Sequence, residues 1–131
     1  MEQEKFFKFP AYSIILLFLI NFLATKFHWY FSIWYFDMPM HFLGGASVGL
    51  MAIWLFLKKE IPFSMKNIIW LMFIVFLVGS LWEIFEVIFN NMIAGTSFDL
   101  LDTISDLFFD LFGGMFAFLF FKVNDYVYRV K

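Results

Sequence analysis

The sequence contains no cysteine, no cluster of basic residues and few charged residues, and each shortage excludes a class of protein. Without cysteine the chain forms no disulfide bonds and performs no thiol chemistry. Charged residues occupy 15% of the 131 positions, against about 25% in an average soluble domain. Because the aromatic residues lie inside apolar runs rather than among lysines and arginines, we expect no nucleic-acid partner.

Apolar residues are in excess, at 63% of the chain against about 45–50% in soluble domains, and 23 of them are phenylalanine. They form four runs, at roughly 11–27, 36–57, 67–90 and 101–121. Each run approaches the roughly 20 residues that a helix needs to cross a hydrocarbon core of about 30 Å. Since lipid offers no hydrogen-bond partners to the backbone, the four runs are predicted to be helices.

The connections between the runs are short, which favours antiparallel neighbours. We therefore predict an all-α membrane fold, an antiparallel bundle of four transmembrane helices that forms a single domain over residues 1–131. Both termini then lie on one side of the membrane. Eight of the nine basic residues fall in the segments of that side: Lys5, Lys8, Lys58, Lys59, Lys66, Lys122, Arg129 and Lys131. This bias predicts cytoplasmic termini in a multi-pass protein of the cell membrane.

The acidic residues have the opposite bias, because seven of the eleven fall at the outer end of the predicted bundle. These seven are Asp37, Glu83, Glu86, Asp99, Asp102, Asp106 and Asp110. Within each helix they are spaced by three or four residues, and His41 follows Asp37 by four, so each helix presents one polar face. Acids placed inside a membrane are costly and usually functional. We predict that the three polar faces meet in a shared chamber below the outer surface.

Structural roles compete with functional ones at several of these positions. Asp99 and Asp102 lie at the expected start of a helix, where a carboxylate caps free backbone N–H groups. Asp37 has the same alternative, and His41 could bridge two helices by a hydrogen bond. The Gly-Gly pairs in "LGGA" and "FGGM" are expected to be packing contacts between helices.

Several carboxylates in a layer of low dielectric need compensation for their charge. Three arrangements provide it: the acids keep their protons, a divalent cation binds, or a cationic group of a substrate lies among them. Oxygen ligands suit Mg, Mn or Ca, and a histidine ligand would also admit Zn. The predicted metal ligands are Asp37, His41, Glu83, Asp102, Asp106 and Asp110. The groups predicted to act in catalysis are His41, Glu83, Glu86 and Asp106.

Three motifs, "FDMPMHFLGG", "LWEIFEVIFN" and "DLLDTISDLFFDLFGG", resemble those of the VanZ-like membrane proteins, and most closely their uncharacterised YjdF-type relatives. The resemblance covers residues 36–116. It implies a small multi-helix membrane protein with an Asp and a His opening one helix, a Glu in the next and an acidic, Gly-terminated motif in the last. The positions that match are Asp37, His41, Glu83, Asp102, Asp106 and Gly113.

Three functions remain open from the sequence. The first is a protein that binds or acts on a membrane lipid, or a lipid-linked cell-envelope molecule, through the outer acidic site, with or without a divalent metal. The second is a proton- or cation-coupled transporter, although the inner half of the chain offers no polar continuation and would need a homo-oligomeric pore or a large conformational change. The third is an assembly subunit whose acids bind a basic helix of a partner.

Overall fold

The computed structural model of the protein describes residues 3–93 and 98–130, so residues 1–2, residues 94–97 of the third connection and Lys131 lie outside the description. Most of the described residues are helical, and the described part of the chain contains no strand. Their helices are α1 (Gln3–Phe6), α2 (Lys8–Lys26), α3 (Trp29–Ser32), α4 (Asp37–Lys58), α5 (Met65–Ile93) and α6 (Leu100–Val130). Four stretches are long and apolar enough to cross a membrane: Glu4–Lys26, Asp37–Lys58, Met65–Phe89 and Leu100–Val127. The predicted all-α fold with four transmembrane helices is confirmed.

The first and last helices are longer than the apolar runs that predicted them. The first span runs from Glu4 because it includes α1, and α2 itself begins at Lys8 rather than near residue 11. Pro10 is compatible with this start, because it lies in the first turn of α2, where a helix has no partner for an N–H group. Helix α6 continues past 121 to Val130 through a polar segment. Within that segment the Asn124 amide donates to the carbonyl of Phe120 at 2.8 Å.

Two residues with a left-handed backbone end their helices and redirect the chain. His28 has a φ of 57° and separates α2 from the short helix α3. Glu60 has a φ of 54° and follows the end of α4. Pro62 then keeps Ile61 out of the helical region, so the chain leaves α4 in an extended form before α5 begins.

Helix α4 is the most buried of the four spans, and α6 is its most extensive partner. Gly45 lies against the backbone of Asp110, and Gly49 lies against Gly114 and Ala117, so the two helices run in the same direction. Helix α5 contacts both of them, whereas α2 packs mainly on α4 and is the least buried span. The helices that follow each other in the chain are antiparallel, and the tightest pair, α4 with α6, is parallel.

The apolar core occupies one end of the bundle. Phe6, Ile53, Leu71 and Val75 are almost completely buried there, and the ring of Phe121 packs edge-on against Phe6 at 5.4 Å. This contact places the start of the chain beside the last third of α6. Both described ends of the chain therefore lie at the same end of the bundle, and the side of the membrane that this end faces stays a prediction.

Candidate functional site

His41 lies at the opposite end of the bundle from this apolar core, in the second turn of α4, and only 5% of its surface is exposed. Its Nε2 atom is 3.8 Å from Oδ1 of Asp37, one turn earlier on the same helix. Helix α6 brings Oδ2 of Asp106 to 3.8 Å from the same nitrogen, and α5 brings Oε1 of Glu83 to 3.7 Å. Three helices thus direct carboxylates at one imidazole nitrogen.

The second ring nitrogen of His41 has a carboxylate of its own. Oδ2 of Asp110 lies 3.4 Å from Nδ1 and accepts a hydrogen bond from it. When Nδ1 carries the proton, the lone pair of Nε2 faces the other three carboxylates. We call the set of Asp37, His41, Glu83, Asp106 and Asp110 the His41 cluster.

Asp110 reaches His41 through a slot that two glycines leave open. A Cβ on Gly45 of α4 would overlap the backbone carbonyl of Asp110, and a Cβ on Gly79 of α5 would overlap its carboxylate. The predicted packing role of the Gly-Gly pairs therefore applies to Gly45, and also to Gly113, where a Cβ would overlap the carbonyl of Phe42. Gly79 was not predicted, although its spacing of four residues from Glu83 places both on one face of α5.

Four of the five residues of the cluster are buried, whereas the side chain of Asp37 is 32% exposed. Glu83, Asp106 and Asp110 expose 6%, 3% and 5% of their surfaces. Oε1 of Glu83 is buried and has no hydrogen-bond partner among the residues that the structure describes. A buried polar atom without a partner is destabilising, so this oxygen marks a place where a further ligand would fit.

The other predicted site residues lie further out. Glu86 is half-buried and can share an ion with His41 and Glu83, whereas Asp102 is exposed and belongs to neither group of candidate ligands described below. Asp99 caps α6, because its Oδ1 accepts hydrogen bonds from the N–H groups of Leu101 at 3.0 Å and Asp102 at 3.4 Å. The capping alternative is confirmed for Asp99.

Asp37 does not cap α4, contrary to the alternative that its position suggested. Phe36 occupies the N-cap position in a helical conformation, and the structure gives the cap no side-chain hydrogen bond. The carboxylate of Asp37 is instead directed along the helix towards His41.

Aromatic residues of α3 and its flanks lie at the end of the bundle that holds the His41 cluster. The ring of Tyr30 packs edge-on against Phe36 at 5.1 Å, and its hydroxyl donates to Oδ1 of Asn21 at 2.8 Å. Burial, together with the nearby carboxylates of Asp37 and Glu86, raises the pKa of Tyr30 to about 12. The hydroxyl therefore stays protonated and keeps this hydrogen bond at neutral pH.

Two groups of side chains in the described residues have the proximity that a metal ion requires. Asp37, His41 and Asp106 form one group, and His41, Glu83 and Glu86 form the other. In each group one ligand atom per residue lies within 4.8 Å of the others. The predicted ligands that these groups contain are Asp37, His41, Glu83 and Asp106. Asp110 contacts His41 from the other side of the ring.

Comparison with known proteins assigns the chain to a family. No curated protein and no solved structure matches it. A family model described as "Predicted membrane protein (DUF2238)" matches residues 2–125. The assignment to VanZ-like proteins and their YjdF-type relatives, which rested on three short motifs, is therefore wrong, because the match over nearly the whole chain is to a different family model. The protein belongs to the DUF2238 family of predicted membrane proteins.

Proposed function

We propose that this membrane protein holds a divalent cation in the His41 cluster and uses it to bind or act on the polar part of a lipid-like or cell-envelope molecule. The observation that carries the proposal is the convergence of three carboxylates on Nε2 of His41, at 3.7–3.8 Å. These separations are longer than hydrogen bonds. They suit two ligands of one ion, which lie about 3–4 Å apart because each is roughly 2.0–2.6 Å from the metal.

The hydrogen bond between His41 and Asp110 supports the same proposal. A histidine that ligates a metal usually donates its other N–H to a carboxylate, which fixes the tautomer and the orientation of the ring. Asp110 is placed to do this at Nδ1, so its role is to position His41 rather than to bind the ion directly. The candidate ligands that share His41 are Asp37 and Asp106 in one group, and Glu83 and Glu86 in the other.

The electrostatic balance of the cluster also favours a cation. Four carboxylates surround one histidine within a span that crosses the membrane, and even a protonated His41 would offset only one of them. A divalent ion bound to neutral His41 offsets two of the four charges and supplies the partner that Oε1 of Glu83 lacks among the described residues. A mixed oxygen and nitrogen set is suited to Mn or Zn, and Mg or Ca would use the carboxylates alone.

The bound ion would polarise a phosphoryl or carbonyl oxygen of the molecule, or lower the pKa of a water that attacks it. Glu86 lies one turn beyond Glu83, is half-buried, and is the group best placed to exchange protons with a molecule at the outer end.

A relay of protons or cations across the bundle has less support. Below Asp110 the buried residues of the described chain are apolar apart from Ser47.

Metal content and metal affinity of the purified protein test the proposal. Elemental analysis and calorimetric titration with Mn, Zn, Mg and Ca should find one ion per chain in the wild type. Asp106→Asn and Glu83→Gln should each weaken binding by at least about tenfold, since loss even of an outer partner of a metal ligand costs 10–100-fold.

Asp99→Asn is the matched control, because it removes one negative charge from the same helix while an asparagine preserves the cap. It should bind the ion as the wild type does. A wild-type protein that binds no divalent ion, or equal affinities for Asp106→Asn and Asp99→Asn, would contradict the proposal.

A further inference from the structure

A groove between α5 and α6 has no role in the ion site as described so far. Its volume is about 320 Å³, at the lower end of the range of ligand sites in proteins. Most of its lining is apolar, and the exceptions are Ser80, Glu83 and Thr103. The groove therefore suits a narrow apolar group that has a polar contact at one position.

Glu83 belongs both to this groove and to the His41 cluster. It lines the groove, while its Oε1 is 3.7 Å from Nε2 of His41 and has no hydrogen-bond partner in the described part of the chain. Only the side chain of Glu83 thus separates the groove from the cluster. A molecule in the groove would lie next to the proposed ion.

The walls of the groove come from the outer part of two membrane-spanning stretches. Ile84 and Ile88 line it and expose 56% and 54% of their surfaces, so this side of the bundle faces the hydrocarbon of the membrane. Residues 80–88 of α5 extend over about 12 Å at 1.5 Å per residue. An acyl chain of a membrane lipid has the shape and polarity to enter such a groove from the side.

The negative charge around the outer end of the groove favours a lipid with a cationic head group. Seven carboxylates lie in this layer, and a divalent ion together with Lys26 would neutralise only three of those charges. Asp102 is exposed and Glu86 is half-buried, so a negative rim remains open at the outer end. Such a rim attracts an ammonium group and repels an anionic lipid.

We propose that the α5–α6 groove binds one acyl chain of a lipid whose head group carries an ammonium group, and that the lipid enters sideways from the membrane. The inference rests on the proposed function for what happens at the ion, but the groove and the acidic rim act without it. The head group lies at Glu86 and Asp102, and the chain passes Glu83 towards Ser80. The substrate class of the site is then an amine-bearing lipid.

Native mass spectrometry of the purified protein in detergent tests this. The protein is titrated with phosphatidylethanolamine and with phosphatidylglycerol of identical acyl chains. We expect one phosphatidylethanolamine to bind at least about tenfold more tightly than phosphatidylglycerol, which corresponds to about 1.4 kcal/mol. Glu86→Gln should reduce this preference, because it removes one charge from the rim.

Val87→Trp and Ile84→Trp each fill the groove and should lower the affinity for the lipid about tenfold. Ile69→Trp is the matched control, since Ile69 is exposed on the inner half of α5, away from the groove, and should bind lipid normally. Thermal unfolding in detergent reports that the variants fold. Metal affinity is measured on the three tryptophan variants and should stay at the wild-type value.

The outcomes separate the two proposals. Equal binding of the two lipids, or unchanged lipid binding in both groove-filling variants, overturns the groove inference and leaves the ion site standing. Selective lipid binding that Val87→Trp abolishes, in a protein that binds no divalent ion, overturns the ion site and supports the groove.

Discussion

Asp99 and Asp37 are both aspartates at helix starts, yet they act differently. Asp99 lies just before α6, and its carboxylate accepts two backbone N–H groups. Asp37 is already inside α4, where its carboxylate is directed at His41 instead. Asp99 is the residue before its helix, and Asp37 is the first residue within its helix. This difference of one position gives Asp99 a structural role and Asp37 a role in the cluster, so substitutions at the two positions should have different effects.

Asp99→Ala should destabilise the protein by about 1 kcal/mol, because alanine leaves the first N–H groups of α6 without a cap. Its affinity for divalent ions should not change. Thermal unfolding in detergent, with metal titration in parallel, measures both. Asp99→Asn retains the cap and should unfold near the wild type. A loss of metal affinity in Asp99→Ala would assign this residue to the ion site and refute the separation.

The residues of the cluster were predictable because helical spacing alone places Asp106 and Asp110 on one face, and likewise Asp37 with His41. The exposure of Asp102 was not predictable from that spacing. Helix α4 begins only at Asp37, so few residues of α4 pack against the first turn of α6. The side chain of Asp102, in that turn, therefore remains exposed. The hydrogen bond from His41 to Asp110 also depends on the distance between helices, which a sequence does not specify.

At the scale of the helices, the four spans were predictable from hydropathy, and their neighbour relations were not. Short connections correctly indicate that successive helices are antiparallel. The closest pair, α4 with α6, is separated by α5 in the chain and runs parallel. This pairing follows from glycines on both helices, which let their backbones approach, and from the need to enclose the acids that both helices carry.

Two adjacent glycines of α4 provide a direct test of this packing. Gly45→Ala should destabilise the protein by about 1–3 kcal/mol, because its Cβ would overlap the backbone of Asp110 and force α4 away from α6. Gly44→Ala should be neutral, or stabilising by up to about 1 kcal/mol through helix propensity, because its nearest neighbour, Oδ1 of Asp110, is at 3.7 Å. Thermal unfolding in detergent compares them.

The same pair of variants also reports on the site. Displacement of α6 in Gly45→Ala moves Asp110 away from His41, so metal affinity should fall together with stability. Gly44→Ala should retain the affinity of the wild type. Equal stability of the two variants would refute the close packing of α4 on α6 that the structure describes.

At the scale of the whole molecule, polarity is divided between the two ends of the bundle. One end holds the buried aromatic and aliphatic core, and the other holds the His41 cluster beneath the aromatic residues of α3. The division follows from the sequence, because acids and basic residues fall on alternate connections. The structure fixes which segments share an end, whereas the direction of the bundle in the membrane depends on charge.

The charge bias predicts that the core end, with both termini, faces the cytoplasm, and that α3 and the cluster face outward. Because the chain has no cysteine, single-cysteine variants report this without background. Phe31→Cys in α3 replaces a side chain that is 90% exposed, and Met65→Cys at the start of α5 replaces one that is 73% exposed. A membrane-impermeant maleimide applied to intact cells should label Phe31→Cys, and should label Met65→Cys only after permeabilisation. The reverse pattern would place the cluster on the cytoplasmic side, and the amine-bearing lipid would then be drawn from the inner leaflet.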